Sequence, residues 1–303
     1  MRLLRYMCAC IMTFYIFIPT GQASIGVSAE NAILMDQNTG EILFEKNIHE
    51  KQSIASITKI MTAIIAIESF QMDEMVTSSR HAIHTEGSSI YLEEGERMLM
   101  EDLVYGLMLR SGNDAAIAIA EHIGGSEEGF TYLMNEKASW LGMTNTNFTN
   151  PHGLENDDHY STAYDMAILM QYAMNDPLFR KISGTTMHTA KTRTYGWKNK
   201  NKLLTHLYKP STGGKTGFTK KAGRTLLSTA THGGDELIVV TLNAPDDWND
   251  HISLYTKGFQ ELKIRPNTIE KSLVHGQSDD QHESFWSYMK GILKRILRVD
   301  SYG

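Results

Sequence analysis

The chain has 303 residues, enough for one large core or two modest domains, with 29 basic against 35 acidic side chains and a net charge of −6. A binder of phosphate backbone is normally basic, so nucleic acid is excluded as an expected partner. Its two cysteines, Cys8 and Cys10, both lie close to the N-terminus, so they offer no spacing that would hold a metal further along the chain.

The chain opens with Arg2 and Arg5, then an apolar run from about Met7 to Ile18, then Pro19 and small residues. This is the pattern of a secretory leader, too short for a comfortable membrane span. Gly21-Gln22-Ala23 and Val27-Ser28-Ala29 are both small-x-small cleavage sites. The second is preferred, which makes residues 1–29 the leader and 30–265 the catalytic domain. Its removal takes away both cysteines, two arginines and no acid, so the net charge moves from −6 to −8. The exported chain then has no disulfide, no thiol nucleophile and no cysteine-bound metal, and must rely on its core.

Ala32 to Asp36 and Glu41 to Glu45 flank Gln37-Asn38-Thr39-Gly40 and read as a hairpin. Ser56 opens an apolar-periodic stretch, Ile57 to Phe70, with no proline or glycine, which reads as a buried helix. From about Asp73 to Tyr172 the pattern is mostly helical: Glu101 to Leu109, Asp114 to Ile123 closed by Gly124-Gly125, Glu127 to Leu141 stopped by Gly142, and Thr162 to Met174 ended by Asp176-Pro177. Asn150-Pro151-His152-Gly153 is a turn between helices. Thr225 to Thr231 and Glu236 to Leu242 are strands joined at His232-Gly233-Gly234-Asp235, and Asp247 to Leu262 is a helix. Strands at both ends bracket a helical middle. The expected class is therefore α+β, an antiparallel sheet from both chain ends with an all-helical subdomain inserted.

Residues 266–284 are polar and read as a linker, and residues 285–303 differ from them. Phe285, Trp286, Met289, Ile292, Leu293, Ile296, Leu297 and Val299 fill one arc of a helical wheel, roughly 160° wide. Lys290, Lys294, Arg295 and Arg298 lie outside it and no acid interrupts. A basic amphipathic helix over 285–299 suits an anionic membrane surface; a helix docked on its own domain is the other reading.

Three motifs carry chemistry. Ser56-Ile57-Thr58-Lys59 puts a hydroxyl and an amine one helical turn apart, with Ser56 at a helix start where free N–H groups favour a developing oxyanion. Lys59 can act as the base only if burial or a nearby cation lowers its pKa. Ser111-Gly112-Asn113 lies between helices and offers a proton relay through Ser111 and an amide through Asn113 that can contact substrate or the lysine. Lys215-Thr216-Gly217, followed by Phe218 and Thr219, brings a cation, a hydroxyl and a close backbone approach to a strand on which an extended peptide could add. Each of the first two alone is explained by a helix N-cap. In this order and context the three together point to a serine acyl-transfer enzyme with a lysine base. A second Ser-x-x-Lys, Ser287 to Lys290, falls in the basic tail and is set aside.

With these motifs the chain resembles the penicillin-binding D-alanyl-D-alanine carboxypeptidases, low-molecular-mass serine peptidases related to β-lactamases. The likeness covers about residues 30–262 and extends to Gly87-Ser88-Ser89 with Tyr91-Leu92, Ser111 to Ala115, Met134 to Ala138, Asn150 to Leu154, Ser161-Thr162-Ala163, and Gly214 to Thr219 with Ala222-Gly223. The resemblance implies a β-lactamase/transpeptidase-like fold. It implies that Ser56 attacks the carbonyl between two terminal D-alanines of a peptidoglycan stem peptide and that Lys59 takes its proton. Ser111 would help protonate the departing D-alanine, Asn113 would hold the peptide, and Lys215 and Thr216 would bind the terminal carboxylate. Gly217, Phe218 and Thr219 complete the substrate-binding strand, and the N–H groups of Ser56 and Phe218 would form the oxyanion hole. Water would release the acyl-enzyme, β-lactams would acylate the same serine, and no cofactor or metal is implied. The expected location is the outer face of the cytoplasmic membrane or the cell wall.

Two departures stand out. Some members carry an arginine after the last strand that assists carboxylate binding; here Asp246 to His251 contains none. Members often have a β-rich domain after the catalytic one, and only about 40 residues follow Leu262 here. Two alternatives share the kit. A class A β-lactamase would need a Glu-x-x-Leu-Asn loop between Ser111 and Lys215, which is missing. A non-catalytic wall-binding protein would be expected to lose one of Ser56, Lys59, Asn113 or Lys215, and all are present. A metal peptidase is disfavoured because the histidines include no His-Glu-x-x-His, and His81 with His84 has no third partner nearby in sequence.

Overall fold

The computed structural model describes residues 26–264. The leader up to residue 25, the linker over 266–284 and the helix expected over 285–303 lie outside the described residues. The chain enters the fold as β1 (Asn31–Asp36) and β2 (Ile42–Lys46), an antiparallel hairpin. Asp36 shapes its turn: one carboxylate oxygen accepts from the N–H groups of Asn38 and Thr39 at 2.9 and 2.8 Å. A 3₁₀ turn, Ala55–Thr58, leads into α1 (Lys59–Glu68). The helical part follows. It comprises β3 (Met75–Thr77), α2 (Arg80–Ile83), β4 (Arg97–Leu99) paired with β3, α3 (Met100–Tyr105), α4 (Asn113–Gly124), α5 (Glu127–Trp140), α6 (Ala163–Ala173) and α7 (Pro177–Ser183). A two-residue ribbon, β5 (Met187–His188) with β6 (Trp197–Lys198), precedes the closing elements. These are β7 (Ser211–Thr219), β8 (Gly223–His232), β9 (Asp235–Leu242) and α8 (Asp247–Ile264).

The main sheet runs β2-β1-β9-β8-β7, every neighbouring pair antiparallel. The first and last parts of the chain meet where β1 pairs with β9, and the helical subdomain is inserted between β2 and β7. This is the expected α+β architecture. Side-chain alternation divides the core. Leu34, Leu237 and Val239 face α8 and pack on Leu254, Tyr255 and Phe259. Ile33, Met35, Ile238 and Val240 face the other way, onto the helices. Because both faces are covered, β1 is buried along its whole length and reads as a continuous apolar run. Helix α1 is buried on every side, which is why its sequence is apolar all round rather than striped. Where its lower end meets α5 and α6, the buried Lys137 ammonium bonds Glu68 at 2.8 Å and the Tyr172 hydroxyl at 2.7 Å.

Several local expectations need correction. The helix expected from Ser56 and Ile57 to Phe70 is α1, Lys59–Glu68, and Ser56 lies in the 3₁₀ turn before it. Asp176-Pro177 does more than end α6. The Asp176 side chain accepts from the N–H groups of Leu178 and Phe179, both at 2.8 Å, and Pro177 takes the first position of α7. The stretch Glu101 to Leu109 starts as α3 and widens to a π turn at Gly106–Arg110. Among the described residues no helix is long and apolar enough to cross a membrane.

Candidate active site

The three motifs meet at the free edge of the sheet. β7 is the edge strand, and the 3₁₀ turn carrying Ser56 packs against it. Ala55 is held at φ +50°, a left-handed conformation that a residue with a side chain rarely adopts. Two contacts hold that bend. The Thr225 hydroxyl donates to the Ile54 carbonyl at 3.0 Å, and the Thr58 hydroxyl donates to the Ala55 carbonyl at 2.8 Å. Ser56 does not cap α1, contrary to the N-cap alternative; its hydroxyl faces the lysine. Gly217 explains itself here. A Cβ on it would lie 2.9 Å from the Ser56 nitrogen and 2.4 Å from the Thr225 hydroxyl, so only glycine lets β7 approach the nucleophile's backbone.

Lys59 occupies the first turn of α1 and is fully buried. Its ammonium nitrogen stands 3.1 Å from the Ser56 hydroxyl, 2.7 Å from Asn113 Oδ1 and 2.5 Å from the His152 carbonyl. Burial, then the charges of Lys215 and Lys200, hold its pKa well below the usual lysine value, while Asp114 opposes them. No carboxylate touches it among the described residues, so the amine is free to act as a base.

Ser111 sits in a left-handed conformation at φ +66° between the π turn and α4, which turns its hydroxyl toward β7. The Lys215 ammonium donates to it at 3.1 Å and to the Thr216 carbonyl at 2.7 Å. Lys215 is buried, and burial followed by the Lys200 charge lowers its pKa to about 7. Asn113 is the first residue of α4, and the N-cap position belongs to Gly112, so the motif is not a side-chain cap. Its amide is engaged at both ends: Oδ1 accepts from Lys59, and Nδ2 donates to the Glu86 carbonyl at 2.5 Å, which leaves its second N–H for a peptide. The expected site residues thus form two hydrogen-bonded groups, Ser56 with Lys59 and Asn113, and Ser111 with Lys215, coupled by the charge of Lys215 acting on Lys59. Thr216 and Gly217 lie beside it on β7, half-buried, and Phe218 is 67% exposed next to them. Thr219 is at the strand end, where its hydroxyl accepts from the Ala222 N–H at 3.0 Å.

Other groups complete the cluster and were not read from the sequence as site residues. The turn Asn150 to Gly153 carries the His152 carbonyl to Lys59, and Thr62 on α1 grips the Pro151 carbonyl at 2.6 Å. The His152 ring is kept neutral, its pKa lowered to about 3 by burial and then by the Lys59 charge. Asp114 is buried and organises the loop before the site, accepting from the Ser89 hydroxyl at 2.6 Å and the Ile90 and Leu92 N–H groups at 3.1 Å. Lys200 arrives from the loop after β6 and donates to the Ser88 hydroxyl at 3.1 Å. Asp114 was within reach of sequence reasoning, because it adjoins the Ser111-Gly112-Asn113 motif. Lys200 and the His152 carbonyl were not, since a backbone oxygen and a lone lysine leave no motif. Among the described residues no group of three metal-ligating side chains is placed to hold an ion.

Comparison with known proteins agrees with this geometry. A family described as D-alanyl-D-alanine carboxypeptidase matches residues 19–246. The chain is 39% identical over 249 residues to the D-alanyl-D-alanine carboxypeptidase DacF of Bacillus subtilis, a match covering 78% of this chain and 64% of DacF. It therefore spans slightly less than two thirds of that relative. Among solved structures, a D-alanyl-D-alanine carboxypeptidase from Mycobacterium tuberculosis superposes with a TM-score of 0.75 at 27% identity, covering 82% of this chain and 96% of that one. Penicillin-binding protein 5 of Haemophilus influenzae gives a TM-score of 0.73 at 33% identity, covering 78% and 72%. The lysine-linked serine, the sheet edge it packs against and these matches agree: the chain belongs to the D-alanyl-D-alanine carboxypeptidase family.

Proposed function

We propose that this protein is a serine-type carboxypeptidase that removes the terminal D-alanine from peptidoglycan stem peptides through an acyl-enzyme on Ser56. The observation that carries this reading is the Lys59 amine, buried, with no carboxylate partner among the described residues and 3.1 Å from the Ser56 hydroxyl. The neutral amine takes the serine proton as the oxygen attacks the carbonyl between the two D-alanines. The N–H groups of Ser56 and Phe218 receive the oxyanion, an assignment favoured by the close approach of Gly217 to the Ser56 nitrogen. The proton leaves Lys59 for the amine of the departing D-alanine through the Ser111 hydroxyl, which Lys215 polarises. Asn113 orients Lys59 and the peptide. Lys215 and Thr216 hold the terminal carboxylate, with Lys200 as a further cation where the arginine seen in some relatives is lacking. Water then attacks the ester with Lys59 again as base, and the shortened peptide leaves.

A β-lactam presents an amide in a similar place and would acylate Ser56. The Lys59 amine contacts Ser56, Asn113 and the His152 carbonyl, and no glutamate stands with them among the described residues. That supports slow release of the penicilloyl ester, against the β-lactamase alternative. The leader and the basic tail support export and attachment of residues 285–299 to an anionic membrane surface. The purified protein is expected to release free D-alanine from a pentapeptide ending in two D-alanines. Ser56→Ala should abolish this at unchanged melting temperature, and retained release would remove Ser56 as nucleophile. Deleting residues 285–303 should abolish binding to anionic vesicles and spare D-alanine release; vesicle binding that survives the deletion would reject the anchor.

A further inference from the structure

We propose that residues 27–29 are a clasp of the folded enzyme and that the leader is cut upstream of them, after Ala23 rather than Ala29. The proposal rests on the export reading given above. Ser28 and Ala29 are bound to the first turn of α8, more than two hundred residues away in sequence. The Ser28 N–H donates to Asp250 Oδ1 at 2.8 Å, the Ser28 hydroxyl to Oδ2 at 2.7 Å, and the Ala29 N–H to Oδ2 at 3.0 Å. The Ser28 hydroxyl also accepts from the Asp246 N–H at 2.9 Å. From the other side, the Lys46 ammonium on β2 donates to the Val27 carbonyl at 3.3 Å and the Ala29 carbonyl at 2.6 Å. Ala29 is fully buried and packs with Ala32 of β1 and Ala244 after β9, under Val27 and Phe44.

This short segment therefore joins β1, β2 and the start of α8. Asp250 is only 5% exposed, and Ser28 and Ala29 supply the donors to both of its oxygens. A cut after Ala29 would remove all three donors, and with them the hydrogen bonds that tie the start of β1 to α8. The same cut would open the apolar seat of Ala29. A small residue at position 29 is thus explained by packing, and its fit to a cleavage pattern is coincidental. The upstream Gly21-Gln22-Ala23 satisfies the same small-x-small rule without touching the fold's described contacts.

The test uses the full chain, exported from a secretion-competent bacterium, with N-terminal sequencing and intact mass of the product. The expected first residue is Ser24; a product that begins at Glu30 overturns the proposal. Two variants decide between the sites because leader peptidase requires a small residue before the cut. Ala23→Lys should accumulate as uncut precursor. Ala29→Lys should still be cut to begin at Ser24 but melt roughly 5–10 °C lower, because a lysine cannot enter the buried seat. Normal cutting of Ala23→Lys together with precursor accumulation of Ala29→Lys overturns the proposal, as does an Ala29→Lys enzyme that melts like the parent. D-alanine release measured on the same samples separates this outcome from the functional reading. An enzyme that begins at Ser24 but releases no D-alanine keeps the clasp and loses the carboxypeptidase.

Discussion

Lys59 must be without its proton before it can accept one. Its environment arranges this by burial first and by two neighbouring ammonium groups second. Lys215 is the nearer in role, but Lys200 acts on both amines, lowering each. The consequence is a bell-shaped dependence of kcat/KM on pH. The rate rises as Lys59 deprotonates and falls as Lys215, with a pKa of about 7 in the free enzyme, loses the charge that binds carboxylate. Lys200→Gln removes a positive charge, so both amines should regain some proton affinity and the whole bell should slide to higher pH. Activity at the acid edge should therefore fall and activity at the alkaline edge should rise. Rate profiles of the parent and the variant, taken from pH 5 to 10, check this; superimposable profiles would show that Lys200 does not tune the site. Lys59→Ala should lose at least about a thousandfold in acylation by a fluorescent penicillin, the usual scale for removing a base from an activated nucleophile.

At the scale of elements, the site depends on a turn that binds no substrate in the mechanism proposed. Gly153, at φ +85°, closes Asn150 to Gly153 against the 3₁₀ turn of Ser56, and a Cβ there would come within 2.0 Å of the Ala55 carbonyl. The turn and α1 are joined by the Thr62 hydroxyl to Pro151 and by Lys59 to His152. Gly153→Ala is therefore expected to push the turn off the nucleophile. It should cost about 1–3 kcal/mol of stability from the strained backbone and the overlap. Acylation should drop at least tenfold, through loss of the carbonyl that aims Lys59. Melting temperature and penicillin acylation measured together check it, and an enzyme with normal acylation would show that the turn merely fills space. This turn also marks what the sequence could and could not tell. Asn-Pro-His-Gly is legible as a turn because each residue type has a turn role. That its third carbonyl would face a lysine some ninety positions earlier is a product of tertiary packing. The long helices and the strands β1, β2, β8 and β9 were legible from their apolar residues between turn and cap signals, whereas β7 is glycine-rich, without an apolar period, and was read only as a strand near its motif. The ribbons β3–β4 and β5–β6 were not, because two or three residues carry no period, and α7 was hidden because its capping Asp176 doubles as the end signal of the helix before it.

Taken whole, the molecule buries several bases in their uncharged form, and its stability must depend on pH as a result. His251 is fully buried between the sheet and α8, bonded to Ser228 at 2.7 Å and Thr241 at 3.0 Å, and burial lowers its pKa to about 3. His152 lies at about 3, through burial and then the charge of Lys59, and His159 at about 4 for the same two reasons. In the unfolded chain each returns to about 6.5. A folded pKa below the unfolded one means that the unfolded state binds more protons once the pH falls under 6.5. The stability these groups allow is therefore complete above about pH 6.5 and is lost as the pH drops toward 4. One group changes stability by at most about 1.4 kcal/mol per pH unit, so three together approach about 4 kcal/mol per unit at the steep part of that window. Their positions spread the effect over both halves of the molecule, two histidines near the active-site turn and one on the sheet-facing side of α8. Urea midpoints at pH 7, 5.5 and 4.5 should fall progressively. His251→Gln, which replaces the ring by an amide that cannot take a proton, should flatten the fall by about a third. A variant that follows the parent's slope would show that His251 does not contribute to the acid lability.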